Sequence, residues 1–468
     1  MGRRDKELLE NIKIEAIAAE GKSLAHVYGK VLFVPFAVPG DVVDVQVKIK
    51  RKGYMEGYIT RMITPSPFRI EPFCSHYGLC GGCKWQSIPY SEQLKNKEQQ
   101  VTDQLVRIGH LKIPEISPIL GSEKITEYRN KLEYTFSSKR WIDSSAEMDD
   151  LSVTERYGLG FHIAGLFDKV LDIEHCYLQP SPSNEIRLFV KRFAVENGYT
   201  FFDLREQSGL LRTLVIRTTS TGETMIIVVF AYEDEALRVK LLEAIKNQFP
   251  SVSSLNWMIN SKKNDSISDL DCRLYYGHEY IYERMEDLTF RIGPKSFYQT
   301  NSEQAYRLYS KVREFAQLKG NEVLYDLYTG TGTIALFLSK NVRRVVGIEY
   351  VSEAIEDAKS NALFNNIDNC SFYAGDMKEM LTPQFIMDNG KPDVVVLDPP
   401  RAGVHPDVAM VISQASPEKI VYVSCNPATQ ARDIALLGEK YKILKVQPVD
   451  MFPHTHHLEN IVLLTKID

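Results

Sequence analysis

The sequence predicts an α/β chain in three parts: a small N-terminal β-barrel, a central mainly β (α+β) region, and a C-terminal doubly wound sheet. Three observations carry this. Residues 1–66 hold short runs rich in Val, Ile and Tyr, punctuated by Gly and Pro. Residues 125–292 alternate in the strand manner, as in KLEYTFSS, RTLVIRTTS and ETMIIVVFAYE. From about residue 300, apolar strands alternate with helical patterns, which argues for a mostly parallel sheet. The parts read as 1–66, 67–292 and 293–468.

Composition narrows the classes. Hydrophobic residues at 44% and charged residues at 25% exclude a disordered or collagen-like chain. A formal net charge of −5 excludes a uniformly basic nucleic-acid coat but allows a local basic patch. No run of about 18 apolar residues is present, so no membrane span is expected. The start, MGRRDKELLENIKIEA, is charged where a signal peptide needs an apolar stretch, so a cytoplasmic location is expected. Seven cysteines in such a chain do not suggest a disulfide framework.

In the first part, KIEAIAAEG, KVLFVPFAVPG, DVVDVQVKIKRKG and YMEGYITRMI read as strands of an OB-type barrel. Residues 1–70 carry twelve Lys or Arg against eight Asp or Glu, so this part is basic. Lys48, Lys50, Arg51 and Lys52 cluster, with Tyr54 and Tyr58 close behind. That cluster reads equally as a solvated hairpin or as a nucleic-acid contact. Next, Cys74-x5-Cys80-Gly-Gly-Cys83 places three thiols in one loop, and Cys176 is the best fourth thiol. Four thiolates could hold a [4Fe–4S] cluster or zinc, although zinc sites usually pair two short Cys units and here there is one. Cys272 and Cys370 read as ordinary cysteines. SEQLKNKEQQVTDQLVRIG and DEALRVKLLEAIKNQF read as helices, and 262–269 as a polar loop.

In the last part, VLYDLY, VVGIEY, CSFYAGD, DVVVLDPP and KIVYVSCN read as strands, and the final segment as an antiparallel hairpin at the sheet edge. Asp326-Leu-Tyr-Thr-Gly330-Thr-Gly332-Thr333 joins a strand to a helix. Glycines there let a ligand approach the backbone, and the helix N-terminus presents free N–H groups. Ala335 stands where a dinucleotide fold wants its third glycine, which weakens a nicotinamide reading. Glu349 ends the next strand, where a carboxylate can accept both hydroxyls of a ribose. Asp376, after the third strand, could read an adenine amino group. The arrangement resembles a class I (Rossmann-like) S-adenosylmethionine methyltransferase.

Asp398-Pro399-Pro400-Arg401-Ala-Gly403 follows an apolar strand, and Val423-Ser424-Cys425-Asn426-Pro427 ends the next. Parallel sheets bind ligands at this strand edge. A thiol beside a methyl donor suggests one chemistry. Pyrimidine C5 is a poor nucleophile until a thiolate adds to C6 and turns the ring into an enolate. A base must then remove the C5 proton so that the thiolate is expelled. Glu459, opening the final strand, is the best base. His454, His456 and His457 read as loop or structural residues, because this chemistry needs no metal.

These motifs together resemble those of the RNA uracil-5 methyltransferases: Asp-Pro-Pro-Arg-x-Gly, then Val-Tyr-x-Ser-Cys-Asn-Pro-x-Thr, then Asp-x-Phe-Pro-His-Thr-x-His-x-Glu. The lead-in Gly293-Pro-Lys-Ser-Phe297-Tyr-Gln299-Thr-Asn301 also resembles that family. The resemblance implies Cys425 as nucleophile and Glu459 as base. It implies that Gln299, Tyr328, Glu349 and Asp398 contact the methyl donor or target base, with Thr333 and Asp376 as weaker carry-overs. The N-terminal part resembles a TRAM domain. The Cys74, Cys80, Cys83 and Cys176 set resembles the iron–sulfur ligands of the 23S ribosomal RNA branch. The expected partner is then 23S ribosomal RNA with a flipped uridine, recognised by a monomer. Transfer RNA is the nearest alternative substrate. Cytosine-5 methylation is disfavoured because Pro399-Pro400 lacks that chemistry's second cysteine. A non-catalytic RNA-binding or assembly protein is the alternative from another class.

Overall fold

A computed structural model describes residues 7–142 and 151–467. The runs read in residues 1–66 fold as β1 (Leu8–Lys13), β2 (Ala16–Ile17), β3 (Ser23–Val27), β4 (Lys30–Val34), β5 (Val42–Lys50) and β6 (Tyr54–Thr64). They form one sheet in the order β1-β5-β6-β4-β3-β2. Val43, Val45 and Val47 alternate along β5 into a core shared with Leu9, Leu32, Val34 and Met55. The β5–β6 register slips at three places. Each slip bends the pair, as a small coiled sheet requires. A Cβ on Gly57 would lie 2.5 Å from Val45 Cγ1, so the strands cross there only because residue 57 is glycine.

Helix α1 (Tyr90–Asp103) fills the first predicted helical stretch and continues as one π-helical turn, Gln104–Ile108. The central sheet is built from β7 (Lys131–Ser137), β8 (Gly158–Ile163), β9 (Leu166–Asp172), β10 (Leu211–Thr218), β11 (Thr224–Phe230), β12 (Ser254–Ile259) and β13 (Cys272–Gly277). Their order is β13-β12-β11-β10-β7-β8-β9. Helices α2 (Ser183–Glu196) and α3 (Glu235–Gln248) cover one face through Ile186, Val190, Leu241 and Ile245. The other face, with Val215, Ile227, Val229 and Met258, packs into the C-terminal core. Covered on both sides, β10 and β11 are buried along their whole length, which explains the apolar run of residues 225–230 in β11 and leaves Arg212 and Arg217 of β10 buried.

A hairpin, β14 (Ile281–Met285) and β15 (Leu288–Ile292), precedes the C-terminal sheet. That sheet contains β16 (Val323–Leu327), β17 (Arg344–Glu349), β18 (Cys370–Ala374), β19 (Val394–Leu397), β20 (Lys419–Ser424), β21 (Tyr441–Val449) and β22 (Glu459–Lys466). The order is β18-β17-β16-β19-β20-β22-β21. The first five strands are parallel, and β22 runs antiparallel between β20 and β21. Strand order reverses between β16 and β19, which opens a crevice at their C-terminal ends. Helices α4 (Ser302–Ala316), α5 (Thr333–Leu338), α6 (Ser352–Phe364), α7 (Pro406–Ala415) and α8 (Pro427–Leu437) flank the sheet. The sequence reading did not place α4 or α7. Helix α4 shows its buried stripe plainly in Ala305, Leu308, Tyr309, Val312 and Phe315. Among the described residues, no helix is long and apolar enough to cross a membrane.

Candidate active site

The crevice is lined first by the turn after β16. Tyr328, Gly330 and Gly332 all take left-handed backbone conformations, with φ of 66°, 55° and 76°. Tyr328 and Thr329 donate their N–H groups to Ile348 O at 3.0 Å, fastening the turn to β17. Gly332 caps α5 where a Cβ would lie 2.9 Å from Ala358. The amides of residues 328, 329, 330 and 332 are therefore spent within the protein, and the turn offers a ligand its shape and the Glu349 carboxylate it holds. Glu349, at the end of β17, accepts from Gly330 N at 3.1 Å and Val351 N at 3.0 Å. Each oxygen keeps a lone pair for a ligand hydroxyl. Asp326 is wholly buried; it accepts from Thr329 Oγ1 at 2.5 Å and Ala335 N at 3.0 Å. Burial pushes its carboxyl up to about 7.

The remaining cofactor candidates divide. Thr333 is buried at the start of α5, its hydroxyl 3.3 Å from that of Thr331, which donates to Phe297 O. Gln299 lies in the lead-in segment, fixed by Asn130 Nδ2 on its carbonyl at 2.9 Å. Its side-chain amide makes no hydrogen bond among the described residues. Asp376 is exposed, and one of its oxygens caps the following helical turn through Lys378 N at 2.8 Å. That leaves its second oxygen free among the described residues, and a lone pair on the first, for any ligand.

Cys425 follows β20 at the sheet's C-terminal edge. Ser424 pairs with Asn460 across β20 and β22, so the antiparallel register sets Cys425 beside Glu459. Leu397 pairs with Tyr422 across β19 and β20, which brings Asp398 to the same edge. The Asp-Pro-Pro-Arg loop is tied down behind the thiol. Asn426 Nδ2 and Thr429 Oγ1 both donate to Arg401 O, at 3.1 and 3.2 Å. The buried Asp433 carboxylate accepts from Val404 N at 2.7 Å and Tyr422 OH at 2.6 Å. Gly403 has φ 82°, and any Cβ there would run into that carboxylate.

Electrostatics couple the three groups. Burial pushes the Cys425 thiol up to about 11, and Glu459 raises it further, while the Arg401 guanidinium opposes both. Glu459 is buried, its Oε2 lacks a hydrogen-bond partner among the described residues, and its carboxyl lies well above the usual glutamate range. Desolvation is the main cause and the Asp398 charge the second. Asp398 is pushed up to about 7 by desolvation and then by Asp326. Arg401 is the residue the sequence reading missed. Its guanidinium Nη2 lies 3.1 Å from His457 Nδ1 and acts on both Cys425 and Glu459. Burial lowers the imidazoles of His454, His456 and His457 to about 4, 3 and 4, so all three are neutral near pH 7.

The four sequence-predicted thiols also come together. Cys74, Cys80, Cys83 and Cys176 line one cavity of about 400 Å³ with His76, Tyr77 and Arg129. Burial raises Cys80 to about 11 and Cys83 to about 12, and Cys176 also rises. Asn184 on α2 holds the Cys176 backbone from both sides, at 2.9 and 3.0 Å. Arg187 on the same helix donates to the Ile173 and Glu174 carbonyls. Among the described residues, no three His, Cys, Asp or Glu side chains are placed to hold a single metal ion. All seven cysteines are free thiols.

Comparison with known proteins joins these observations. Residues 270–467 match the family model described as tRNA (Uracil-5-)-methyltransferase, and residues 10–60 match the TRAM domain. An uncharacterized RNA methyltransferase of Porphyromonas gingivalis is 57% identical over 97% of this chain and 99% of its own. One from Bacteroides thetaiotaomicron is 58% identical over 96% and 99%. The crystal structure of Pyrococcus abyssi tRNA (uracil-54, C5)-methyltransferase in complex with S-adenosyl-L-homocysteine superposes with a TM-score of 0.77. It is 30% identical, over 97% of this chain and 99% of that one.

Proposed function

The chain belongs to the S-adenosylmethionine-dependent RNA uracil-5 methyltransferases, and on that premise we propose that it methylates C5 of a uridine in 23S ribosomal RNA through a covalent bond from Cys425 to C6. The register that sets Cys425 beside the buried, unpartnered Glu459 carries this reading. Bound S-adenosylmethionine supplies the electrophilic methyl group. The Cys425 thiol first loses its proton, which Asp398 is suited to accept and which leaves Glu459 free for later. Sγ adds to C6, and the C5–C6 electron pair moves to make an enolate. Arg401 stabilises the negative charge that the pocket must otherwise carry. C5 then bonds the methyl carbon as its bond to sulfur breaks. Glu459 takes the C5 proton, the C5–C6 double bond re-forms, and the Cys425 thiolate leaves. Tyr328, Thr333, Glu349, Asp376 and Gln299 are assigned to the methyl-donor crevice.

The ribosomal substrate is supported by the four-thiol cavity, whose sequence spacing resembles that branch. The donor set and space suit a [4Fe–4S] cluster. A single zinc ion needs thiolates at about 2.3 Å from one point, a convergence absent among the described residues. Cys74, Cys80, Cys83 and Cys176 would hold the cluster, which would knit the loop to α2 and take no part in methyl transfer. Transfer RNA is the second reading, favoured by the substrate named for the Pyrococcus protein. An RNA substrate of this kind places the reaction in the cytoplasm.

The test is trapping on RNA containing 5-fluorouridine, whose C5 fluorine cannot leave as a proton. The native protein is expected to form a denaturation-resistant RNA adduct, and Cys425→Ala to form none and to lose turnover. Glu459→Gln is expected to slow release from unmodified RNA by about 10²–10⁴-fold. Normal turnover by Cys425→Ala would end this mechanism. Mapping 5-methyluridine in both RNAs from cells lacking the gene separates the two substrates.

A further inference from the structure

Among the described residues Glu459 receives no hydrogen bond on its Oε2, so its aim depends on the backbone that delivers it. That backbone is the loop of residues 450–458 between β21 and β22, whose ends meet where Val449 pairs with Glu459. Its hydrogen-bonded anchors come mainly from elsewhere in the chain. Tyr128 OH donates to Pro453 O at 3.0 Å, and Asn301 Nδ2 to Met451 O at 3.0 Å. The amides of Lys84 and Trp85 both donate to His454 O, at 2.8 and 3.1 Å.

The largest share comes from one face of α1. Tyr90, Gln93 and Lys97 lie three and four residues apart and so project to one side. Gln93 accepts from His454 N at 2.8 Å and lies 3.2 Å from its Nδ1. Lys97 Nζ contacts Asp450 Oδ1 at 2.5 Å and Phe452 O at 3.2 Å. Tyr90 OH donates to Asp450 Oδ2 at 2.7 Å. Both members of the Lys97–Asp450 pair are fully buried. Desolvation consumes most of the attraction in such a pair, so apolar residues of like volume would hold the helix about as well. A charged pair adds direction: it fixes the loop in one register, where an apolar contact would tolerate sliding.

We propose that Lys97 is a positioning residue for proton removal: through Asp450 it holds the 450–458 loop so that Glu459 points at C5 of the covalent intermediate. The proposal rests on the assignment of Glu459 as base. It predicts a defect confined to the last step. Sulfur addition and methyl transfer use Cys425 and the donor crevice, to which Tyr90, Gln93 and Lys97 make no hydrogen bond among the described residues, their side chains being spent on Asp450, Phe452 and His454. Without its anchor, Glu459 meets the C5 proton poorly and the methylated adduct persists.

The experiment compares the full-length native protein, Lys97→Met/Asp450→Asn and Glu459→Gln on target RNA. The double substitution removes both charges together, so no lone charge is left buried. Three quantities are read: S-adenosylhomocysteine formed in the first turnover, RNA held covalently after denaturation, and the melting temperature. The double variant is expected to complete the first methyl transfer within about threefold of native and then to stall. Misaiming of this kind slows release by about 100-fold, with adduct accumulating as in Glu459→Gln. A folded double variant that releases product at the native rate overturns the proposal. So does one that loses methyl transfer and release equally, since a purely structural role behaves that way. Should the double variant fail to fold, Tyr90→Phe decides, because it removes one hydrogen bond on Asp450. A longer adduct lifetime at unchanged KM for the methyl donor supports the proposal, and an unchanged lifetime overturns it. If Glu459→Gln itself traps no adduct, the assignment of the base has failed instead.

Discussion

At Cys425 the protein faces a conflict that its neighbours resolve. A thiol pushed up to about 11 is scarcely ionised near pH 7, yet only the thiolate attacks carbon. Arg401 is the nearby cation that opposes this shift, and it acts on Glu459 in the same sense. Asp398 acts in the opposite sense on Glu459. The base works only when ionised, and its raised pKa places the acid limb of product release above the range of an ordinary glutamate. Asp398→Asn slows adduct formation, but it also removes a negative neighbour, so in the adduct that does form Glu459 stays ionised to lower pH and the limb moves down. Arg401→Gln removes a positive one and moves it up. Rates of adduct breakdown against pH check both signs; a limb that moves the same way in both variants refutes the coupling. That Cys425 and Glu459 would meet was expected from the sequence, because carbon methylation of a pyrimidine demands a thiol and a base, and the β20–β22 register brings them together. Arg401 was not. In the linear chain it is only one member of the Asp-Pro-Pro-Arg motif, and its action depends on the loop being tied to Asn426 and Thr429.

At the scale of elements, the cysteine loop and the base loop are one assembly. Lys84 and Trp85, directly after Cys83, hold His454, and Phe73 packs edge-on against the same imidazole. Arg129, which lines the cysteine cavity, lies 5.4 Å over the Phe452 ring. A cluster held by these thiols would therefore also steady the loop that carries Glu459. Cys80→Ser is expected to lose iron and to weaken RNA binding about tenfold, or about 1.4 kcal/mol. Iron analysis and a binding titration measure both; native RNA affinity in iron-free protein would separate the cluster from RNA recognition. That Cys74, Cys80, Cys83 and Cys176 would come together was expected from the spacing of three and the resemblance that pointed to the fourth, and the four do line one cavity. Asn184 and Arg187, which shape the Cys176 turn, were not expected. They stand eight and eleven residues onward, on a helix whose sequence gives no hint of what its polar face holds.

At the scale of the molecule, RNA must reach the crevice over surfaces of favourable charge. On the N-terminal domain, Lys48, Arg51 and Lys52 are exposed beside Tyr54 and Tyr58. Lys50 is partly neutralised by Glu7 at 2.6 Å. A cavity of about 610 Å³ in the central sheet adds Arg140, Arg156 and Lys169, none ion-paired among the described residues. Replacing Arg51 and Lys52 by Ala is expected to flatten the slope of log affinity against log salt by about 1–2. Lys50→Ala alone should change it little. Equal slopes for the native and Arg51/Lys52 proteins would place the RNA elsewhere. The three-part architecture was legible from strand and helix periodicity. The docking of the central sheet was not, because burial on both faces erases the alternation that tells a reader which side is covered.

The clamp on residues 450–458 also bears on how such an enzyme can be rebuilt. A chimaera joined at the lead-in segment near residue 293 would inherit the nucleophile and the methyl-donor crevice but leave behind Lys84, Gln93, Lys97 and Tyr128. On the proposal above it would capture RNA covalently and release it about 100-fold more slowly. Retargeting this chemistry to another transcript means carrying residues 84–130 along with the catalytic domain and exchanging only what lies upstream.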